Sequence, residues 1–204
     1  MKRLDASYYD EDYFRPGPKS NYILPFTWQV EGPNRLKVAQ YLKDTFNPKK
    51  ALDVGCAKGF LCKALLQVGI DAYGCDISEF AVNNCEPEVK GRLKVADIRD
   101  GLPYPKNSFD FVCSHSTLEH IEMEFLPYVT SEIARVARNW VNVSIPVNLD
   151  NVNSPWGDPS HRTFMTVSYW ISLFYSHRLL CDLRFCSQGN NHPFYNANLV
   201  FSRR

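Results

Sequence analysis

One stretch decides the fold of this chain, and it reads Leu52-Asp53-Val54-Gly55-Cys56-Ala57-Lys58-Gly59-Phe60-Leu61. A short apolar run ends in two glycines four residues apart and leads directly into a helical pattern. This order predicts a strand, a tight turn and the start of a helix. Nucleotide-like ligands are bound at turns of this kind, because the free amides of the helix N-terminus point at them.

The spacing of the glycines narrows the kind of ligand. A dinucleotide-binding turn has the pattern G-x-G-x-x-G, in which the second glycine lets the backbone approach a pyrophosphate. Here Ala57 stands in place of that second glycine, and Gly59 comes one residue early. The sequence also lacks the G-x-x-x-x-G-K-[ST] pattern that cradles phosphates. With Asp53 two positions before Gly55, the turn suits a ligand with a cationic amine better than one with phosphates.

Composition excludes several classes of protein. The chain has 204 residues, of which 45% are hydrophobic and 22% are charged, and its net charge is +1. We expect a single domain over residues 1–204, and the near-neutral charge weighs against nucleic acid as a partner. No apolar run is long enough to span a bilayer. The seven cysteines form no C-x-x-C pair, so we expect reduced thiols and a cytoplasmic protein. The sequence gives no indication of an oligomeric state.

Strand and helix patterns alternate along the chain, which is typical of βαβ units on a parallel sheet. A first helix is predicted over residues 34–46, with Asn34 as its cap. Strands are then expected at 50–55, 71–76, 92–97, 109–114 and 139–145, and helices at 59–68, 78–84 and 124–138. A helix at 166–176 and an antiparallel pair of strands at 178–186 and 196–203 complete the predicted order.

Two segments lack a regular pattern. Residues 1–30 are rich in Tyr, Phe, Asp and Pro, and we interpret them as an irregular arm that is either a satellite of the core or a lid. Residues 146–166 form a long loop, and a loop of this length is usually functional in a compact domain. We expect this loop to lie on the substrate side of the site.

Polar residues stand at the ends of the predicted strands, where ligands of open parallel sheets bind. Asp76 ends the second strand, and a carboxylate there can accept both hydroxyls of a ribose; the alternative is an N-cap of the next helix. Asp97 ends the third strand and could accept from an exocyclic amine of adenine, or lie in a surface turn. The fourth strand ends in Ser114-His115-Ser116-Thr117.

Five motifs in order resemble the successive motifs of class I S-adenosylmethionine-dependent methyltransferases. They are Leu52–Gly59, Tyr73–Ser78, Ala96–Ile98, Ser108–Val112 and Leu118–Ile121. One of these motifs would be weak, but five at the usual intervals over roughly residues 34–145 are specific. The resemblance implies S-adenosylmethionine as the cofactor. It also implies a Rossmann-like, doubly wound, mostly parallel sheet of seven strands whose last strand is antiparallel.

The same resemblance implies which residues contact the cofactor. The turn would hold the methionine part through Gly55, Cys56, Ala57 and Gly59, with Asp53 near the amino group. Asp76 would hold the ribose hydroxyls with Ile77 beside it, Asp97 and the Ile98 backbone would meet adenine, and Ser114 would lie near the sulfonium or the methionine tail. A third glycine is frequent where this chain has Ala57, and we expect that difference to cost little.

Two histidines are candidates for a general base, since a hydroxyl acceptor loses its proton as the methyl arrives. His161 is the first choice, and a structural histidine held by Asp158 is the alternative. His115 could also be the base, or it could line the cofactor, whereas His120 is more readily structural. The Asp-Pro-Ser-His segment at 158–161, followed by Trp170, loosely resembles methyltransferases that accompany glycan-building enzymes. We expect no metal, because no set of His, Asp and Glu stands at ligand spacing.

These observations predict a methyltransferase that moves the methyl of S-adenosylmethionine to a small or glycan acceptor, most readily a hydroxyl of a sugar or related metabolite. Two alternatives stay open. One is a subunit that binds S-adenosylmethionine without turnover of its own, and the other is a methyltransferase that acts on a nitrogen or on a macromolecule. The absence of an Asn-Pro-Pro-Tyr-like motif at residues 114–117 weighs against methylation of nucleic-acid amino groups.

Overall fold

The computed structural model describes residues 4–20, 22–146, 158–188 and 196–203. Its strands are β1 (Lys50–Val54), β2 (Asp71–Asp76), β3 (Leu93–Val95), β4 (Phe109–His115), β5 (Ala137–Pro146), β6 (Leu179–Cys181), β7 (Ser187–Gln188) and β8 (Asn196–Arg203). Its α-helices are α1 (Trp28–Phe46), α2 (Phe60–Gln67), α3 (Glu79–Asn83), α4 (Leu126–Val136) and α5 (Val167–Tyr175).

The strands form one mixed sheet in the order β3-β2-β1-β4-β5-β8-β6, with the short β7 paired to β8. Strands β1 to β5 pair in parallel, and β8 runs antiparallel between β5 and β6. The predicted mostly parallel sheet with an antiparallel last strand is therefore confirmed. The strand order reverses between β1 and β4, and the crevice beyond the carboxyl ends of these two strands is where such sheets bind ligands.

The two faces of the sheet are covered by different helices. Ala39 of α1 and Leu65 of α2 pack with Phe111 of β4 in one apolar cluster. Ile133 of α4 and Trp170 of α5 belong to a second cluster on the other face. Because both faces are buried, the central strands are apolar along their length, and the polar strand ends stand out against them.

Helix α1 begins six residues before its predicted start. Its N-cap is Thr27, so the predicted cap at Asn34 is wrong. Pro33 lies inside the helix, and a Gly-Pro pair normally argues against helical structure. The Trp28 ring covers Gly32, where an added Cβ would lie 2.8 Å from the indole. This packing stabilises a first turn that local propensity does not favour.

The end of the chain differs from the prediction in one strand. Strand β6 stops at Cys181 instead of continuing to residue 186. The side chain of Asp182 accepts a hydrogen bond from the Arg184 amide, and this local turn takes the chain out of the sheet. The turn of the closing hairpin is predicted across residues 188–193; Gln188 lies in β7, and residues 189–193 fall outside the described residues. Within the described part of the chain, no helix has both the length and the apolar character needed to cross a membrane.

Candidate functional site

A cavity of about 150 Å³ lies beyond the carboxyl ends of β1, β2 and β4. Most of the residues predicted to bind the cofactor line it. These are Asp53, Gly55, Cys56, Ala57, Asp76, Ile77, Asp97 and Ile98, and His115 joins them. Gly59, Ser114 and His161 do not line it. With His120 and Ile121, which also line it, the cavity brings together residues from four separate motifs at the reversal point of the sheet.

The glycine turn has the backbone that its sequence predicts. Gly55 has φ +79°, and its amide donates to the Cys75 carbonyl at 2.8 Å. A Cβ at Gly55 would lie 2.1 Å from the hydroxyl oxygen of Thr117, so only glycine fits there. Gly59 has φ +76° and is the N-cap of α2, where a Cβ would press on Leu93. Gly59 thus turns the chain into the helix without facing the cavity.

The backbone of Ala57 has a conformation that is unfavourable for alanine, so replacing the third glycine costs more free energy than the sequence analysis predicted. Its φ is +47°, and the left-handed region costs an L-residue about 1–2 kcal/mol. The Ala57 amide donates to Asp76 Oδ2 at 2.7 Å. A hydrogen bond to a carboxylate is about twice as strong as a neutral one, and this bond offsets the strained backbone.

Asp76 presents its carboxyl group at the cavity wall. Besides the bond from Ala57, its Oδ1 accepts from the Ser78 amide at 2.8 Å. The N-cap of α3 is Ser78, whose Oγ accepts from the Ala81 amide, so the N-cap alternative for Asp76 is wrong. Burial raises the pKa of Asp76, and the two amides act in the opposite direction. Each oxygen keeps a lone pair that a hydroxyl could use.

The Asp53 carboxyl group is buried, and a nearby positive charge would stabilise its ionised form. Its side chain is 5% exposed on β1. Burial raises its pKa to about 7, and Arg35 on α1, which lines the same cavity, acts to lower it. The Cys113 thiol donates to its Oδ1 at 3.7 Å. A buried carboxyl group of this kind favours a cationic ligand, because a second positive charge would let it ionise.

The Asp97 side chain lines the cavity and already forms an ion pair. It pairs with Arg99 at 2.8 Å, and Arg99 also pairs with Glu122 at 3.0 Å and donates to the Leu4 carbonyl at 2.6 Å. The carboxyl is only 16% exposed, so the surface-turn alternative does not describe it. A ligand amine at Asp97 would share a carboxylate that the guanidinium already holds.

Ser114 and His115 point to opposite sides of β4, as neighbours on a strand must. Ser114 is buried, and its Oγ finds no hydrogen-bond partner among the described residues. His115 faces the cavity, and its Nε2 lies 2.7 Å from Asn142 Oδ1. Asn142 Nδ2 donates to the Leu199 carbonyl at 3.1 Å and to Asn198 Oδ1 at 2.7 Å. The amide orientation is therefore fixed.

That orientation also fixes the tautomer of His115. Asn142 Oδ1 can only accept, so His115 Nε2 carries the proton and Nδ1 carries the lone pair. Burial lowers the pKa of His115 to about 4, which keeps the imidazole neutral near pH 7. Nδ1 can therefore accept a proton, but the lowered pKa makes His115 a weaker base than a free imidazole.

His161 lies behind the cavity, against another histidine. Its ring centroid is 4.8 Å from that of His120, and its Nε2 is 4.0 Å from Glu119 Oε1. Burial lowers the pKa of His161 to about 4 and raises that of the buried Glu119 carboxyl to about 8. The Asp158 carboxylate accepts from Ser160 and from Tyr13. The His161 amide donates to the Asp158 carbonyl at 3.1 Å, so Asp158 holds the backbone of His161, while its carboxylate bonds to Ser160 and Tyr13.

The N-terminal arm supplies one wall of the cavity. Its aromatic residues Tyr9, Tyr13, Phe14, Tyr22 and Phe26 line the space. They pack on one another and on Phe60 of α2 in a separate apolar cluster. The Ser78 hydroxyl donates to the Tyr9 carbonyl. The arm is therefore both a satellite of the core and part of the site.

Sequence reasoning missed several cavity residues, among them Arg35, Thr117 and His120. Arg35 follows the Gly-Pro pair that hid the start of α1, and Thr117 is visible only through its contact with Gly55. His120 was interpreted as structural, yet it lines the cavity. Its position in Leu118–Ile121, one of the five motifs, is the signal that could have found it. Residues 147–157 of the predicted substrate loop lie outside the described residues.

Comparison with known proteins gives this geometry a context. Residues 52–140 match the model of a family described as a methyltransferase domain. A ubiquinone biosynthesis O-methyltransferase of Bordetella avium is 29% identical over 94 residues, which are 44% of this chain and 39% of that protein. A probable pectin methylesterase of Arabidopsis thaliana is 31% identical over 111 residues, 52% of this chain and 42% of that protein. The chain thus spans less than half the length of the curated relatives it matches.

Solved structures share the fold over nearly the whole chain. A magnesium protoporphyrin IX methyltransferase from Synechocystis PCC 6803, crystallised with bound SAH, has a TM-score of 0.74 at 17% identity and covers 98% of this chain and 97% of its own. A protein from Pyrococcus horikoshii has a TM-score of 0.71 at 19% identity, with 95% and 99% covered. At these identities the likeness concerns the fold.

Proposed function

We propose that this chain, a class I methyltransferase by the match of residues 52–140 and by its fold, transfers the methyl group of S-adenosylmethionine to an oxygen atom of a small acceptor. One observation carries the proposal. Residues from four separate motifs line a single cavity at the reversal point of the sheet, and they include the acids Asp53 and Asp76. The cofactor has a cationic amine and a ribose, and these are the groups such acids recognise.

The cavity offers each part of the cofactor a chemically matched wall. The methionine amine would lie near the buried Asp53 carboxyl, with Arg35 near enough to meet the methionine carboxylate. The ribose hydroxyls would donate to Asp76. The aromatic rings of the arm, Tyr9 and Tyr13 among them, would border the sulfonium, which tyrosine faces attract as a cation.

In a direct methyl transfer, the protein forms no covalent bond with the methyl donor or the acceptor. When bound, S-adenosylmethionine would supply the methyl group, and attack by the acceptor oxygen on the methyl carbon would break the carbon–sulfur bond and leave its electron pair on sulfur. His115 Nδ1, on the cavity wall with its lone pair free of Asn142, is placed to take the hydroxyl proton. The aromatic arm keeps water out and holds the reactants in line, which favours a direct displacement.

The acceptor is inferred from the relatives. Several are named as ubiquinone biosynthesis O-methyltransferases, and a further one is named as a pectin methylesterase. One further relative is named as a probable guanine-N(7)-methyltransferase, against four named as O-methyltransferases, and this balance supports oxygen as the atom that is modified. Pectin is a polysaccharide, and together with the Asp-Pro-Ser-His segment this relative supports a sugar or related metabolite as the acceptor, although a methyl ester involves a carboxyl oxygen and not a hydroxyl.

Calorimetry with S-adenosylhomocysteine tests the cofactor site. Asp76→Ala should weaken binding by about 10- to 100-fold, because it removes charge-assisted hydrogen bonds worth about 1.5–3 kcal/mol. Asp71→Ala is the matched control, since Asp71 stands at the other end of β2 and pairs with Arg92. Equal affinity in all three proteins would contradict the ribose assignment.

Transfer itself is measured with S-adenosylmethionine that carries a labelled methyl group. Label should pass to phenolic or sugar hydroxyls in a panel of acceptors or in cell extract. Cofactor binding without transfer to any acceptor would favour the alternative of a binding subunit.

A further inference from the structure

Two histidines and a glutamate that are distant in sequence meet beside the cavity. The ligand atoms of Glu119, His120 and His161 all lie within 4.8 Å of one another. The Glu119 side chain is 1% exposed, and its Oε2 finds no hydrogen-bond partner among the described residues. Its Oε1 is 4.0 Å from His161 Nε2, which is too far for a hydrogen bond. A buried carboxyl with no donor at either oxygen from these histidines calls for another partner.

Hydrogen bonds around His120 show which nitrogen is available. The Ser160 hydroxyl donates its single proton to Asp158 Oδ1, so it must accept from His120 Nδ1 at 2.8 Å. His120 Nδ1 is therefore protonated, and Nε2 carries the lone pair. Metal-binding histidines are oriented in this way, with the second ring nitrogen held by a hydrogen-bond acceptor that fixes the tautomer.

We propose that Glu119, His120 and His161 bind one divalent transition-metal ion of the zinc type through a carboxylate and two imidazoles. This donor set is that of zinc sites with three protein ligands and an open fourth position. It differs from magnesium and calcium sites, which are built from oxygen ligands. The proposal replaces the expectation of no metal, which rested on spacing along the sequence.

The backbone holds these ligands in place for an ion. The amides of Arg162 and Thr163 donate to the Glu119 carbonyl at 2.7 and 3.0 Å. The Thr163 hydroxyl donates to the Ile121 carbonyl at 2.6 Å. The segment with His161 is thus fastened to the segment with Glu119 and His120. Ligand atoms of a tetrahedral zinc ion are about 3.3–3.5 Å apart at zinc–ligand distances of about 2.0–2.2 Å, so side-chain rotations that close the cluster by about 1 Å are sufficient.

The position of the cluster suggests what the ion would do. His120 belongs both to the cluster and to the cavity lining, so the ion would lie at the edge of the cavity. Its open position could hold an acceptor oxygen and lower the pKa of a hydroxyl there. This role rests on the proposed methyl transfer, whereas metal binding itself does not.

Metal binding can be measured without any activity. Untagged protein is stripped with EDTA, dialysed, and titrated with Zn²⁺ against a chromogenic indicator. The wild type should bind one equivalent, and Glu119→Gln and His161→Gln should bind at least tenfold more weakly. His177→Gln is the matched control, because His177 is a half-buried histidine whose Nε2 meets Thr130 outside the cluster. Co²⁺ in place of Zn²⁺ should give the wild type an absorption band that the two ligand variants lack.

If a ligand variant folds poorly, a substitution that leaves Glu119, His120 and His161 in place can still test the proposal. Ser160→Ala removes the acceptor for His120 Nδ1 and should weaken Zn²⁺ binding by about 10- to 100-fold. The proposal is overturned if the wild type binds no tighter than His161→Gln, or if His177→Gln loses as much affinity. S-Adenosylhomocysteine affinity, measured on the same samples, separates the two proposals. If the wild type does not bind S-adenosylhomocysteine, the methyltransferase proposal is contradicted. The zinc proposal is then judged from the Zn²⁺ titrations by themselves.

Discussion

The buried Asp53 carboxyl makes cofactor affinity depend on pH. Burial raises its pKa to about 7 in the unliganded protein, and a cationic amine beside it favours the ionised form. Binding therefore requires the carboxyl to lose its proton. The ionised fraction is about 3% at pH 5.5 and about 76% at pH 7.5. Affinity for S-adenosylhomocysteine should thus rise by about 25-fold over this range, or about 2 kcal/mol.

Calorimetry at four pH values between 5.5 and 7.5 measures this slope. Asp76 also has a raised pKa and contributes in the same direction, so the Asp53 part is isolated with Asp53→Asn. That variant should bind more weakly at pH 7.5 and should lose most of the slope. A wild-type affinity that stays flat over the range, or a slope unchanged in Asp53→Asn, would refute the reasoning.

The Asp53 carboxyl also makes the stability of the unliganded protein depend on pH. The carboxyl has a pKa of 3.8 when it is unfolded and about 7 when it is folded. The folded state therefore binds more protons between these values, and the free energy of unfolding falls as the pH rises from about 4 to about 7. Urea titrations of the wild type and Asp53→Asn across this window measure the Asp53 contribution as the difference between their slopes.

Two further substitutions test the turn and the candidate base. Gly55→Ala should destabilise the protein by at least 1–2 kcal/mol in urea unfolding, since φ +79° strains an alanine and its Cβ meets the Thr117 hydroxyl; wild-type stability in the variant would contradict this account. His115→Gln should slow methyl transfer by about 10²- to 10⁴-fold while weakening S-adenosylhomocysteine binding far less, and an equal loss in both measurements would assign His115 to cofactor binding alone.

The parts of the site that depend on short-range sequence could be predicted. Gly55, Asp76 and Asp97 were located because a strand end fixes where the residue after it lies in a parallel sheet. The alternation of side chains along a strand places Ser114 and His115 on opposite faces of β4, and this difference could have been predicted from the sequence.

The parts that depend on long-range packing could not be predicted. His120 and His161 are 41 positions apart, and hydrogen bonds between their two segments, such as those of the Arg162 and Thr163 amides to Glu119, bring them together. The start of α1 was missed because Gly32 and Pro33 disfavour a helix locally, and the Trp28 ring that compensates for this becomes visible only when the residues are folded.

The aromatic wall of the cavity has a consequence for how the protein is made. Tyr13 and its hydrogen-bond partner Asp158 are 145 positions apart, and the neighbouring rings rest on Phe60 and Phe80. The arm leaves the ribosome long before the surfaces that receive it exist, since synthesis proceeds from the N-terminus and distant contacts form slowly. Until Asp158 has been synthesised, the Tyr13 hydroxyl lacks this partner, and the arm can rest only on the surfaces formed by earlier residues such as Phe60 and Phe80.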